Sequence, residues 1–147
     1  MRVYLACTIR GDRSRLTVAR ALGSAIEEAG HELMTRLFLE DGAGDADGRL
    51  SPDAVFERDL DWLDACDLLV AEASGSSYGV GFEVGYIAGR AERTGKRAIV
   101  LYDERLRDRV SRLVSGNTHP RCVTIAYRSA DDARAQLGEA LATLTRA

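Results

Sequence analysis

Residues 67–80 read Asp-Leu-Leu-Val-Ala-Glu-Ala-Ser-Gly-Ser-Ser-Tyr-Gly-Val. Asp67 to Glu72 predicts a strand, Ala73 to Gly79 a small polar loop, and Val80 to Thr94 a helix. The same strand–loop–helix order recurs on both sides of this unit. Arg2 to Thr8 is a short apolar run, and Ser14 to Ala29 has a helical period and ends at Gly30. His31 to Leu37 reads as a second strand, followed by a polar loop from Glu40 to Arg49. Ser51-Pro52-Asp53 opens the next helix with an N-cap serine, a proline in the first turn and an acid near the positive end of the helix dipole. Arg97 to Tyr102 predicts a strand and Glu104 to Ser115 a helix closed by Gly116-Asn117. Arg121 to Tyr127 predicts the last strand and Ala130 to Thr145 the last helix.

Five strands alternating with five helices predict an α/β fold, a doubly wound parallel sheet covered on both faces. The expected strand order is the flavodoxin-like (Rossmann-like) 2-1-3-4-5, which puts the ligand crevice beyond the carboxyl ends of strands 1 and 3. The length of 147 residues fits one domain over residues 1–147, large enough to bury a core without staples. A net charge of −3 argues against non-specific binding to nucleic acid polymers or an anionic membrane. The longest apolar runs, such as Ala98 to Tyr102, are too short to span a bilayer, and the N-terminal residues lack a signal-peptide pattern. Cys7, Cys66 and Cys122 are odd in number and widely spaced, which suits reduced thiols in a cytoplasm. With His31 and His119 also far apart, there is no metal motif, and neither metal nor cofactor is expected.

The crevice rule directs attention to two loops, Thr8 to Arg13 after strand 1 and Ala73 to Gly79 after strand 3. Both are small, polar and glycine-containing, which lets a backbone approach a phosphate and donate N–H groups to it. Neither is a Walker loop, because no Gly-Lys-Ser/Thr follows. Neither is a dinucleotide fingerprint, because Gly79 and Gly81 are followed at position 84 by valine.

The carboxylates sort by helical phase. In the helix beginning at Ser51, Phe56, Leu60 and Leu63 define the expected buried stripe, and Glu57, Asp61 and Asp64 fall on a solvated face. Asp59 alone among the acids lies inside the apolar arc. Glu83 stands in a helix that is apolar nearly all round, with Val80 rather than Ser or Thr three residues before it, so a capping box does not explain it. A buried acid is costly unless it is paired or used. Gly81, Gly85 and Gly89 form a separate stripe, expected to pack closely against a neighbouring element.

Together, Tyr4-Leu5-Ala6-Cys7-Thr8-Ile9-Arg10-Gly11, Asp59-Leu60-Asp61-Trp62-Leu63, and Val70-Ala71-Glu72 running on to Ser77-Tyr78-Gly79-Val80-Gly81-Phe82-Glu83-Val84-Gly85 resemble the 2′-deoxynucleoside 5′-phosphate N-hydrolases of the nucleoside 2-deoxyribosyltransferase superfamily. The resemblance runs from strand 1 to about Asn117. It implies a flavodoxin-like homodimer in which Glu83 is the nucleophile on the anomeric carbon, Asp59 assists departure of the base, and Tyr4 lies near the sugar. It further implies that Ile9, Arg10 and Gly11 line the base and phosphate, with Gly79 in the second phosphate-facing loop. Ser77 would bind the 5′-phosphate, and Ser111 would reach the phosphate of the partner subunit. Cys7 stands where the family usually has glycine, and Ser115 where arginine is frequent. Asn117 is similar to an asparagine that the transferase branch sends into a neighbouring site.

The chemistry agrees with that division of labour. Breaking an N-glycosidic bond passes through an oxocarbenium-like state, which a nearby carboxylate stabilises or captures. Retaining glycosidases use two carboxylates roughly 5–5.5 Å apart for this, an analogy only, since here the leaving group is a base. Arg10 with two serines would orient a dianionic phosphate. The expected activity is hydrolysis of a deoxynucleoside 5′-monophosphate to free base and 2-deoxyribose 5-phosphate. The alternatives are a deoxyribosyltransferase exchanging bases and a non-catalytic nucleotide-binding module.

Overall fold

A computed structural model describes residues 1–10, 12–75 and 77–146 of the chain. Five parallel strands, β1 (Arg2–Ala6), β2 (Glu32–Leu33), β3 (Leu68–Glu72), β4 (Arg97–Asp103) and β5 (Cys122–Tyr127), lie in the order β2-β1-β3-β4-β5. This is the 2-1-3-4-5 order expected from the sequence. The register pairs Tyr4 with Leu69 and Ala6 with Ala71, so the loops leaving β1 and β3 emerge side by side. The helices are α1 (Leu16–Glu28), α2 (Ala43–Asp47), α3 (Pro52–Ala65), α4 (Tyr78–Thr94), α5 (Arg112–Ser115) and α6 (Ala130–Arg146).

Alternation along the strands divides the core into two layers. Val3, Leu5, Leu68, Val70, Ile99 and Leu101 pack against Leu22 and Ile26 of α1 and Leu137 and Leu141 of α6. Tyr4, Ala6, Leu69, Ala71 and Val100 face the other way, against Leu63 of α3 and Val84 and Ile87 of α4. Tyr4 therefore points toward α3 and α4, the helices carrying Asp59 and Glu83. Ser51 caps α3, its Oγ accepting from the Ala54 N–H at 3.4 Å. Gly95, at φ 75°, ends α4 in the left-handed conformation that glycine adopts without strain.

Four expectations need correction. The second strand shrinks from His31–Leu37 to Glu32–Leu33, because the Thr35 hydroxyl takes over the ladder: it accepts from the Leu5 N–H at 2.9 Å and donates to the Leu5 carbonyl at 2.8 Å. The polar segment 40–49 contains α2 rather than being loop throughout. The expected helix from Glu104 to Ser115 is a 3-10 turn over Glu104–Leu106 followed by the one-turn α5. The cause is Asp103, whose fully buried carboxylate accepts from the Arg105 backbone N–H at 2.9 Å and binds its guanidinium, holding the chain in a tight turn. Finally, Phe56 is not part of the α3 core. It is 53% exposed and lies against Phe82 of α4, ring centroids 6.3 Å apart, while Leu63 provides the burial.

The glycine stripe meets no neighbouring element within the described residues of this chain. Gly81, Gly85 and Gly89 are exposed, and a Cβ added at any of them would meet nothing within 4 Å among the described residues. The close packing foreseen for them is not made by the chain itself.

Candidate active site

The centre of the site is an acid held by a phenol. The Tyr4 side chain is fully buried, and its hydroxyl donates to Oε1 of Glu83 at 2.5 Å across the gap between β1 and α4. Burial pushes the Glu83 carboxyl up to about 7; the hydrogen bond from Tyr4 opposes that rise, and the charge of Asp59 adds to it. Tyr4 is driven upward too, first by burial and then by Glu83, so the phenol keeps its proton and remains a donor. Asp59, with a 20% exposed side chain, approaches from α3 and is close enough for its charge to be felt by both groups. The structure thus brings together Tyr4, Asp59 and Glu83, three residues 55 and 24 positions apart along the chain.

A second group of predicted residues gathers at the amino end of α4. Ser77 caps that helix, its Oγ accepting from the Val80 N–H at 3.3 Å, and Gly79 is exposed in the first turn. A cavity of about 300 Å³ between the β1 and β3 loops is lined by Thr8, Arg10, Asp12, Gly75, Ser77 and Arg109. A neighbouring cavity of about 490 Å³ has Ser77, Gly81, Arg109 and Ser111 in its wall. Ile9 and Arg10 line a third, open cleft with Gly44 and Arg49 of the 40–49 segment. Glu83 and Asp59 line none of these three cavities. Glu83 stands six residues along α4 from Ser77, about 9 Å of helix rise, and Asp59 faces it from α3. Gly11 lies outside the described residues.

Asn117 is placed elsewhere. It precedes β5, at the amino ends of the strands, where its Nδ2 donates to the Cys122 Sγ at 3.2 Å and its Oδ1 accepts from the His119 N–H at 2.9 Å. Ser111 precedes α5 and is exposed. Ser115, at the position where arginine is frequent, hydrogen-bonds back to the Ser111 carbonyl at 3.3 Å. Cys7 is buried, and burial pushes its thiol up to about 12, so it packs in the core as an uncharged group.

Several contributors were not foreseen. Arg109 reaches both of the cavities that Ser77 lines, from the turn between β4 and α5, a segment read as regular helix from the sequence. Its signal was the arginine density of residues 105–112. Beneath the β3 loop, Glu72 is 2% exposed and accepts from the Tyr127 hydroxyl at 2.8 Å, from the Ser74 N–H at 3.2 Å and from the Ser74 hydroxyl. The Ser74 Oγ also accepts from the Asp103 N–H at 2.7 Å, and Arg15 pairs with the Asp103 carboxylate at 2.8 Å. This buried network fixes the floor on which residues 73–79 stand.

Residues 3–113 match the family model described as nucleoside 2-deoxyribosyltransferase. A protein of Thermofilum pendens, provisionally named 2′-deoxynucleoside 5′-phosphate N-hydrolase 1, is 38% identical over 141 residues, covering 96% of this chain and 95% of its own. The 5-hydroxymethyl-dUMP N-hydrolase of Danio rerio is 28% identical over 149 residues, 99% of each chain. Among solved structures, the CMP N-glycosidase BcmB of Clostridium botulinum shares the fold at a TM-score of 0.70 and 24% identity, over 95% of this chain and 99% of that one. A family-model match over residues 3–113, with a relative 38% identical across most of both chains, shows that this protein belongs to the nucleoside 2-deoxyribosyltransferase family.

Proposed function

We propose that the protein is a nucleotide N-glycosidase that hydrolyses 2′-deoxynucleoside 5′-monophosphates to free base and 2-deoxyribose 5-phosphate. The observation that carries this reading is the Tyr4–Glu83 hydrogen bond with Asp59 alongside, in a chain whose relatives include named nucleotide N-hydrolases. Ionised Glu83 attacks the anomeric carbon through the carboxylate oxygen that Tyr4 does not hold. The bond from that carbon to the base nitrogen breaks with its electron pair staying on the base, and Asp59 assists by relaying a proton from solvent to the departing base. Water then attacks the sugar–enzyme ester, the Asp59 carboxylate takes up its proton and returns it to solvent, and the sugar leaves with Glu83 restored.

The 5′-phosphate is placed between Ser77, Arg10 and Arg109. The amino end of the 17-residue α4 and two guanidinium groups favour a dianion there. The base occupies the side of Ile9 and α2. The working unit is a homodimer in which Ser111 reaches the partner's phosphate, and the three free thiols suit a reducing cytoplasm. No helix among the described residues is long and apolar enough to cross a membrane.

Incubation with a panel of deoxynucleoside monophosphates, with and without an acceptor base, followed by chromatography of free base, tests the reading. Release of base without an acceptor is the expected result. Turnover only when an acceptor is supplied would make the protein a transferase. Tight binding without any turnover would make it a nucleotide-binding module.

A further inference from the structure

Arg58 precedes Asp59 on α3, and only 20% of its side chain is exposed. Its guanidinium lies over two neighbouring rings, 5.4 Å from the centroid of Phe38 and 5.2 Å from that of Trp62, whose centroids are themselves 5.9 Å apart. Nε donates to Oδ1 of Asp59 at 2.8 Å, and a terminal nitrogen donates to Oδ1 of Asp47 at 2.8 Å. Successive residues of a helix do not face one another, so adjacency alone does not produce the Arg58–Asp59 contact. The guanidinium is turned back toward its own helix by the two rings and by Asp47.

Asp47 is the last residue of α2, and its side chain is 11% exposed. The helix α2 rests in turn on the β1 loop: a Cβ added at Gly44 would come within 3.0 Å of the Ile9 carbonyl oxygen. Arg58 therefore links two acids from different elements through a planar group whose donors are fixed relative to each other. A lysine ammonium does not reproduce that geometry. Contact with two ring faces and shelter from solvent distinguish it from a surface ion pair, which contributes little.

We propose that Arg58 is a positioning residue: held by Phe38, Trp62 and Asp47, it sets the orientation of the Asp59 carboxylate beside Glu83 and couples segment 40–49 to the reacting acids. This gives the polar segment a part in the reaction, and it rests on the reading of Asp59 as a reacting group. A carboxylate released from its strut still lies near the substrate but loses alignment, so the loss falls on kcat rather than on KM.

The test is a kinetic cycle of Arg58→Met, Arg58→Lys and Asp47→Asn, each in the parent and in an Asp59→Asn background, on a deoxynucleoside monophosphate. In the parent, Arg58→Met is expected to lower kcat by roughly 10- to 100-fold with little change in KM, the scale of a misaligned catalytic group. Arg58→Lys should recover only part of that, and Asp47→Asn should show a smaller loss of the same kind. In the Asp59→Asn background all three should have almost no further effect on kcat. Equal losses in both backgrounds, or an Arg58→Met enzyme with the parent kcat, would overturn the inference. Should Arg58→Met not fold, Arg58→Lys and Asp47→Asn decide by the same criterion. If Asp59→Asn alone keeps the parent kcat, the role of Asp59 itself falls, an outcome distinct from failure of Arg58.

Discussion

A carboxylate that attacks carbon must be ionised, and burial at Glu83 works against ionisation. With its carboxyl near 7, Glu83 in the free enzyme is protonated below neutrality, so kcat/KM is expected to rise with pH and level off above about 7. The two neighbours move that limb in opposite directions. Tyr4 lowers the Glu83 value through its hydrogen bond, so Tyr4→Phe should shift the rise to higher pH; Asp59 raises it through its charge, so Asp59→Asn should shift the residual activity to lower pH. A pH profile of each variant checks both signs, and shifts in one common direction would contradict the arrangement. Asp59→Asn should also cost roughly 10²–10⁴-fold in rate, the usual worth of general acid–base help. The same burial affects stability. A carboxyl raised in the folded state binds its proton there more tightly than in the unfolded chain, so its contribution is lost as pH rises from the ordinary glutamate range through about 7. Glu83→Gln should therefore abolish turnover yet raise Tm at pH 8 relative to pH 5, compared with the parent, by differential scanning calorimetry. Glu83 and Asp59 were legible in the sequence because each is an acid in an apolar arc. Arg58 was not, because its burial depends on rings contributed by residues 38 and 62, and no periodicity of α3 exposes that.

At the scale of elements, α4 joins the two halves of the site, with Ser77 at its cap and Glu83 six residues on. Arg109 and Arg10 enter from different loops and line one cavity with Ser77. Arg10→Ala and Arg109→Ala should each reduce the preference for a monophosphate over its nucleoside by roughly tenfold, the worth of a charged hydrogen bond, while the nucleoside kcat/KM stays near the parent. Steady-state comparison on a matched deoxynucleotide and deoxynucleoside measures this. Segment 40–49 responds to packing. Gly44→Ala would press a methyl group against the Ile9 carbonyl at 3.0 Å and displace either α2 or the β1 loop, so a loss of activity without loss of fold is expected by kinetics and circular dichroism. The strand order and α4 followed from the alternation of apolar runs with helical periods. The short second strand and the broken segment after β4 did not. Their form is set by side chains replacing backbone partners, Thr35 on Leu5 and Asp103 on Arg105, which are tertiary choices invisible to local pattern.

At the scale of the whole molecule, one face is unfinished. Tyr78 is 98% exposed, Leu113 88% and Phe82 52%, around a stripe of glycines that meets nothing in its own chain among the described residues. Such a face beside the cavities that Ser77 lines is suited to a second copy, and a two-fold contact would present Ser111 of each subunit to the other. The sequence marked the glycine stripe as a surface for close helix packing and left its partner open, since a pattern of small residues does not name what it meets. Ser111 also lines a cavity with Ser77 of its own chain, so a test must separate action in trans from action in cis. Glu83→Ala and Ser111→Ala variants, each weak alone, are mixed in equal amounts and allowed to exchange subunits. In every mixed dimer one site collects both lesions, while the other has its own Glu83 and an intact Ser111 from its neighbour. Random exchange then restores about one quarter of all sites, and activity climbs well above the average of the two variants if Ser111 acts in trans. With exchange confirmed by native mass spectrometry, activity that stays at the average assigns Ser111 to its own chain. A protein that remains monomeric at assay concentration removes the shared site altogether.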